Sequence, residues 1–135
     1  MHLANTLVGA VALFAATSSA AFTASCTNCK WIINKAVPAY MGCDCRKNDG
    51  SYVGAGIQLG KCFGNNNGNI QPQQNGFFAN TCTWGGALGP AAGGALFMPV
   101  GCKRIDGSVN SFSYNLAATG TIQNDNGVLK CFGTN

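Results

Sequence analysis

The chain has 135 residues, a net charge of +4 from 8 Lys+Arg against 4 Asp+Glu, and only 9% charged residues beside 19 glycines and 8 cysteines. The single histidine is His2, there is no glutamate, and the acidic groups are Asp44, Asp49, Asp106 and Asp125. Acid–base catalysis draws on histidine or on tuned carboxylate pairs, so the composition points away from an enzyme and towards a small binding or structural domain.

Residues 1–21 read as a secretory signal. Leu7 to Ala16 is an apolar run too short to cross a bilayer at about 20 residues, and Thr17-Ser18-Ser19-Ala20-Ala21 supplies small residues for cleavage before Ala21 or Phe22. Export to the extracellular space agrees with the cysteine content. No later stretch is long and apolar enough to span a membrane as a helix. A mature chain of this size has a thin core, and disulfides are expected to supplement it.

The mature chain is written twice. Cys45-Arg46-Lys47-Asn48-Asp49-Gly50-Ser51 returns as Cys102-Lys103-Arg104-Ile105-Asp106-Gly107-Ser108, an offset of 57 (102 against 45). Upstream, Phe22-Thr23-Ala24-Ser25-Cys26 answers Phe78-Ala79-Asn80-Thr81-Cys82. Downstream, Ile57-Gln58-Leu59 answers Tyr114-Asn115-Leu116, and Asn65-Asn66-Asn67-Gly68 answers Asn124-Asp125-Asn126-Gly127. So small a drift in offset marks a tandem duplication, with residues 22–76 as the first repeat and 77–135 as the second.

In the first repeat, Asp49-Gly50, Asn67-Gly68 and Asn75-Gly76 are dipeptides that favour type I′ turns. Ser51 to Leu59 reads as a strand, and Trp31-Ile32-Ile33 as a short core strand. Gln71 to Gly76 is the polar join between repeats, and such a hinge allows halves to exchange between two molecules. In the second repeat Asp106-Gly107 and Asn126-Gly127 supply the turns. Gly85 to Gly94 is too glycine-rich for a helix and reads as an elongated, flexible hairpin tip. Phe112-Ser113-Tyr114-Asn115-Leu116 alternates like a strand with one buried face. The prediction is a mostly β domain.

Eight cysteines allow 105 pairings, and the repeat narrows them. Equivalent positions at nearly equal spacing argue for Cys26–Cys45 and Cys82–Cys102. Cys43 and Cys45 are two apart and share a strand face, which suggests a nested Cys29–Cys43 bridge and leaves Cys62 for Cys131. Cys26, Cys29, Cys43 and Cys45 are also a four-thiolate donor set of the kind that holds zinc. For an exported chain, disulfides and no metal are the expectation.

The ordered pattern in both copies resembles the cyanovirin-N homologue family: Phe then Cys, Cys-Arg/Lys-x-x-Asp-Gly-Ser, Ile/Tyr-x-Leu and Asn-x-Asn-Gly. The resemblance covers residues 22 to about 132 and looks like a secreted, fungal-type member. It implies a pseudo-twofold β fold whose halves mix strands from both repeats, with one disulfide stapling each repeat. It also implies non-catalytic, cofactor-free binding of high-mannose glycans at up to two sites. Carried over by position, the first site gathers Ser25, Arg46, Lys47, Asn48, Asn124, Asp125 and Asn126. The second gathers Asn65, Asn67, Asn75, Asn80, Thr81, Lys103 and Arg104. Amides, hydroxyls and cationic donors match neighbouring sugar hydroxyls without a titrating group. The family often places acidic residues where this chain has Arg46, Gly64 and Asn80, which implies weaker sites.

The competing reading is a disulfide-rich secreted interaction or defence protein that keeps the fold with degenerate sugar sites. Neither membranes nor nucleic acids are expected partners, because the basic residues fall in two separate pairs with no basic helix or stripe. The expected state is a monomer or a domain-swapped dimer.

Overall fold

The computed structural model describes residues 21–135, so the apolar leader read as an export signal, and His2 within it, lie outside the described residues save for Ala21. Eleven short strands follow: β1 (Cys26–Trp31), β2 (Tyr40–Arg46), β3 (Tyr52–Gln58), β4 (Phe63–Asn66), β5 (Asn69–Pro72), β6 (Cys82–Thr83), β7 (Gly89–Pro90), β8 (Leu96–Lys103), β9 (Val109–Asn115), β10 (Ile122–Asp125) and β11 (Val128–Cys131). Each repeat opens with a single 3-10 turn, Phe22–Ala24 or Phe78–Asn80, which buries its phenylalanine.

Each repeat then builds one sheet and one detached hairpin. The first sheet has the order β1-β2-β3, and the second joins β6, β7 and β9 around β8. Period-two alternation sets the faces. Met41, Cys43 and Cys45 of β2 point inward, as do Leu96, Met98, Val100 and Cys102 of β8. The hairpins β4–β5 and β10–β11 pack away from their own sheets. Strand β11 lies on β3, and β10 lies against the turn at Phe22. One shared core results, centred on Phe22, Phe63, Phe78, Met41, Ile57, Leu59, Met98, Leu116, Ile122 and Leu129.

Pro99 stands in the middle of β8, where a proline would ordinarily break a ladder. Leu96 faces β9 through its carbonyl, and Lys103 turns its N–H the other way to Thr81. Alternation therefore points the nitrogen of Pro99 away from β9, into the gap between β7 and β6, where no strand needs an N–H.

The four disulfides join Cys26–Cys45, Cys29–Cys43, Cys62–Cys131 and Cys82–Cys102, and no cysteine is left as a thiolate for a metal. Cys26–Cys45 and Cys82–Cys102 bridge directly opposed residues. Cys29–Cys43 needs more. Residues 26 and 29 are an odd number apart, so in a regular strand they face opposite sides. A bulge between Thr27 and Lys30, with Asn28 at φ 56°, inserts one residue and returns Cys29 to the face of Cys43. Cys62–Cys131 spans a separation of 69 residues and ties the first repeat to the end of the second. On chain entropy such a closure is worth about 4 kcal/mol.

Several local expectations change. Asn67-Gly68 and Asn126-Gly127 are type I′ turns, with φ positive at both central residues. At Asp49-Gly50 and Asp106-Gly107 only the glycine has positive φ. Gly50 N–H donates to Lys47 O at 3.0 Å and Gly107 N–H to Arg104 O at 2.9 Å, so each is a type I turn closed by a glycine bulge. The cause is the aspartate: its carboxylate reaches forward to the serine N–H and hydroxyl and holds Asp49 and Asp106 in the right-handed region. Asn75 takes positive φ and Gly76 does not. Gly76 is needed instead for close approach, since a Cβ there would lie 2.6 Å from Gly64 Cα.

Trp31-Ile32-Ile33 is not a core strand, for β1 ends at Trp31 and Ile33 is 87% exposed. Gly85 to Gly94 is only partly a hairpin tip. The tip is Ala91–Ala95, while Gly86 packs on Pro99, accepts a bond from Trp31 Nε1 at 2.7 Å, and is followed by buried Leu88. The polar join is pinned at both ends, with Gln73 N–H on Cys62 O, Asn75 N–H on Lys61 O and Phe77 N–H on Gly60 O.

The bulge gives a direct test. Deleting Asn28 should make the spacing from Cys26 even, so that a regular strand sets Cys29 opposite Cys43 without the bulge, and peptide mapping should find all four disulfides formed with the same pairing. Two titratable thiols in the deletion variant would show that strand parity does not govern this pair.

Candidate carbohydrate site

Both ends of the molecule are built by one device. At the first end, the β10–β11 hairpin of the second repeat reaches the first repeat. Asn124 Nδ2 donates to Ser25 Oγ at 2.8 Å and to Arg46 O at 2.9 Å, while Asn124 Oδ1 accepts from Gly127 N–H at 2.8 Å. Two residues on, Asn126 Oδ1 accepts from Asn48 N–H at 2.7 Å. The second end repeats this with the roles of the repeats exchanged. Asn65 Nδ2 donates to Thr81 Oγ1 and Lys103 O, both at 2.9 Å, and its Oδ1 accepts from Gly68 N–H at 2.7 Å. Asn67 Oδ1 accepts from Ile105 N–H at 2.9 Å. In Asn65 and Asn124 the amide faces a carbonyl on one side and an N–H on the other, so only one orientation satisfies both.

The turn glycines let the cations lie across these junctions. A Cβ on Gly127 would fall 2.9 Å from Lys47 Cγ, and one on Gly68 would fall 2.7 Å from Arg104 Cγ. Lys47 and Arg104 thus cover equivalent turns at opposite ends. Arg104 also donates to Ser108 Oγ at 3.2 Å.

The structure therefore brings Ser25, Arg46, Lys47, Asn48, Asn124 and Asn126 together, and separately Asn65, Asn67, Thr81, Lys103 and Arg104. Asp125 turns to Lys130, at 2.8 Å on the same hairpin. Asn75 and Asn80 are exposed and make no hydrogen bond to the second cluster among the described residues. Asn65 and Asn124 have both amide hydrogens committed to protein acceptors and keep one acceptor position each. Asn67 and Asn126 use only the oxygen, which leaves their NH₂ groups for a ligand.

The ends differ at one place. Asn48, exposed beside Asn126, corresponds to Ile105, which is 90% exposed beside Asn67. The first end thus adds a side-chain donor and acceptor where the second presents a bare aliphatic group. The asymmetry is visible in the aligned copies, but its meaning required knowing that both residues sit at the cluster.

A family model described as CVNH domain matches residues 22–130. The chain belongs to the CVNH domain family. Its fold is similar to a designed cyanovirin-N homolog lectin at 25% identity and TM-score 0.65, covering 82% of this chain and 98% of that one. It is also similar to the CVNH protein of Gibberella zeae at 20% identity and TM-score 0.65, covering 82% and 95%. A third likeness is to microvirin, solved as a mannobiose complex, at 20% identity and TM-score 0.62, covering 83% and 98%. No curated protein matches the chain.

The Asp-Gly-Ser turns carry a pH signature. Hydrogen bonds from the side chain and backbone of Ser51 and Ser108 hold the Asp49 and Asp106 carboxyls below the usual aspartate range. A carboxyl whose folded pKa is depressed adds stability above its unfolded value, about 3.9, and loses it as pH falls through the folded value. Asp49→Asn/Asp106→Asn should flatten the loss of stability below about pH 4, measured by urea midpoints across pH; an unchanged slope would refute the assignment. At the junctions, Asn65→Ala and Asn124→Ala should each cost about 1–3 kcal/mol by orphaning two acceptors and one N–H. Equilibrium denaturation reads this directly, and a loss within error of zero would show the bridges to be dispensable.

Proposed function

We propose that the protein is a secreted, non-catalytic lectin for mannose-type oligosaccharides, binding at the two Asn-bridged ends without a metal or cofactor. The observation that carries the reading is membership of the CVNH domain family, with a mannobiose complex known for microvirin on the same fold. The chemistry of the ends supports it. Each presents an unspent asparagine NH₂, one lysine and one arginine, and backbone groups, a mixed donor and acceptor set that suits vicinal hydroxyls. The first end is the stronger, because Asn48 adds an amide where Ile105 adds none.

One feature favours the runner-up, an extracellular interaction or defence protein on a stapled scaffold. Asn65 and Asn124 serve the fold first, and Asp125 is held by Lys130, so fewer polar groups are free than the residue types alone suggest.

Isothermal titration of the oxidised protein with a branched oligosaccharide ending in Manα1-2Man separates the two. Millimolar-or-tighter binding is expected, with Asn48→Ala weakening it about fivefold, the worth of one hydrogen bond near 1 kcal/mol. Lys103→Ala should have the smaller effect. Absence of heat together with a blank glycan array, from protein with all disulfides formed, would sink the lectin reading. Binding of a partner protein that survives excess mannose would then support the runner-up.

A further inference from the structure

A groove crosses the outer face of the β1-β2-β3 sheet, formed by residues outside both end clusters. Its floor is glycine. Gly42 pairs with Gly56, and Gly54 pairs with Asp44 two residues further along. Side chains replace the missing Cβ atoms at two of the three positions: Ile32 lies over Gly42, and the ring of Tyr40 lies on Gly56. Gly54 is uncovered, with nothing within 4 Å of where its Cβ would stand. The cavity left is about 340 Å³, with Tyr40 and Ile32 at one end, Asn28 and Asp44 at the other, and Lys30 and Lys35 also lining it. The Lys35 ammonium sits 5.0 Å from the centroid of the Tyr40 ring, a cation–π contact that favours the ring's place on the sheet.

Asp44 is the carboxylate the fold uses least. Asp49 and Asp106 lock turns and Asp125 pairs with Lys130. Asp44 accepts one bond through Oδ2, from Asn28 Nδ2 at 3.2 Å. Its Oδ1 and the second amide hydrogen of Asn28 have no partner among the described residues. The second repeat lacks this arrangement. Pro99, Gly101, Ser111 and Ser113 stand where the first has Gly42, Asp44, Gly54 and Gly56. Pro99 and Gly86 pack together there, and no carboxylate is present. A feature the fold required of each sheet would recur in both.

We propose that this groove is a further saccharide site, taking one neutral pyranose ring. A pyranose has a C–H face that fits over the uncovered Gly54, beside Ile32 and the Tyr40 ring, and vicinal hydroxyls that Asp44 Oδ1 and Asn28 can bind. Hydrogen bonds to an ionised carboxylate are the stronger kind. An extended peptide would look for an open strand edge, and this groove runs over the face of a sheet. The volume lies at the small end of ligand sites, roughly 300–1,000 Å³, enough for a ring and not for a branched arm. The site stands apart from the lectin reading of the two ends and works whether or not they bind.

The test is two-dimensional ¹⁵N NMR of the oxidised protein titrated with mannobiose and, separately, cellobiose. At least one sugar should shift the Gly42, Gly54 and Gly56 amides and the Asn28 side chain in a saturating manner. Gly54→Val puts a β-branched side chain into open space on an extended strand, so the spectrum should stay folded while the groove shifts vanish. Asp44→Asn, which keeps the shape, should weaken binding there about fivefold or more. No groove shifts with either sugar, or groove shifts that survive Gly54→Val, overturn the proposal. Shifts confined to Asn48, Asn126 and their neighbours also overturn it while upholding the ends. Shifts confined to the groove do the reverse.

Discussion

The structure depends on a reciprocal exchange of asparagine amides. A hairpin of four residues a side is marginal in water by itself, and β4–β5 and β10–β11 each find their support on the other repeat. Asn65 and Asn124 make that support specific. Each satisfies a carbonyl, a hydroxyl and a turn N–H at once. Neither repeat completes its own packing, so the duplication produces one core, and Cys62–Cys131 locks the arrangement covalently.

The same exchange explains why polar surface gathers at the two ends. A type I′ turn projects Asn67 or Asn126 toward the facing repeat's basic turn, where the oxygen is consumed and the NH₂ is left over. The cations Lys47 and Arg104 lie over turn glycines and so are held near this leftover donor. The unspent polar groups are by-products of the junction, and this is why a chain with few charges can present ordered hydrogen-bonding clusters.

Duplication also gives each feature an internal control. Asn48 against Ile105 separates the two ends. Cys29 and Cys43 against Gly85 and Val100 show that the first sheet alone has a second staple, and the bulge at Asn28 supplies the parity it needs. Asp44 against Gly101 marks the first sheet as the one with an unspent carboxylate. The shared frame fixes the backbone, and these substitutions are free to differ because they face solvent or fill a local gap.

The sequence by itself determined the duplication, the β class, the I′ turns at Asn67-Gly68 and Asn126-Gly127, and the shared strand face of Cys43 and Cys45. These are local properties, set by side-chain period and by which residues tolerate positive φ. It misjudged Asp49-Gly50 and Asp106-Gly107, because a carboxylate bonding two residues ahead outweighs the dipeptide's preference. Ile33 escaped burial and Gly86 acquired a partner for reasons that no window of neighbouring residues contains. Only the tertiary structure decided that Asn65 and Asn124 serve the fold before any ligand, that Asn75 and Asn80 take no part in the junction's hydrogen bonds, and that Asp44 pairs with the uncovered Gly54. Those outcomes turn on contacts between residues up to 99 positions apart, and which polar groups remain unspent is known only after such contacts have used the others.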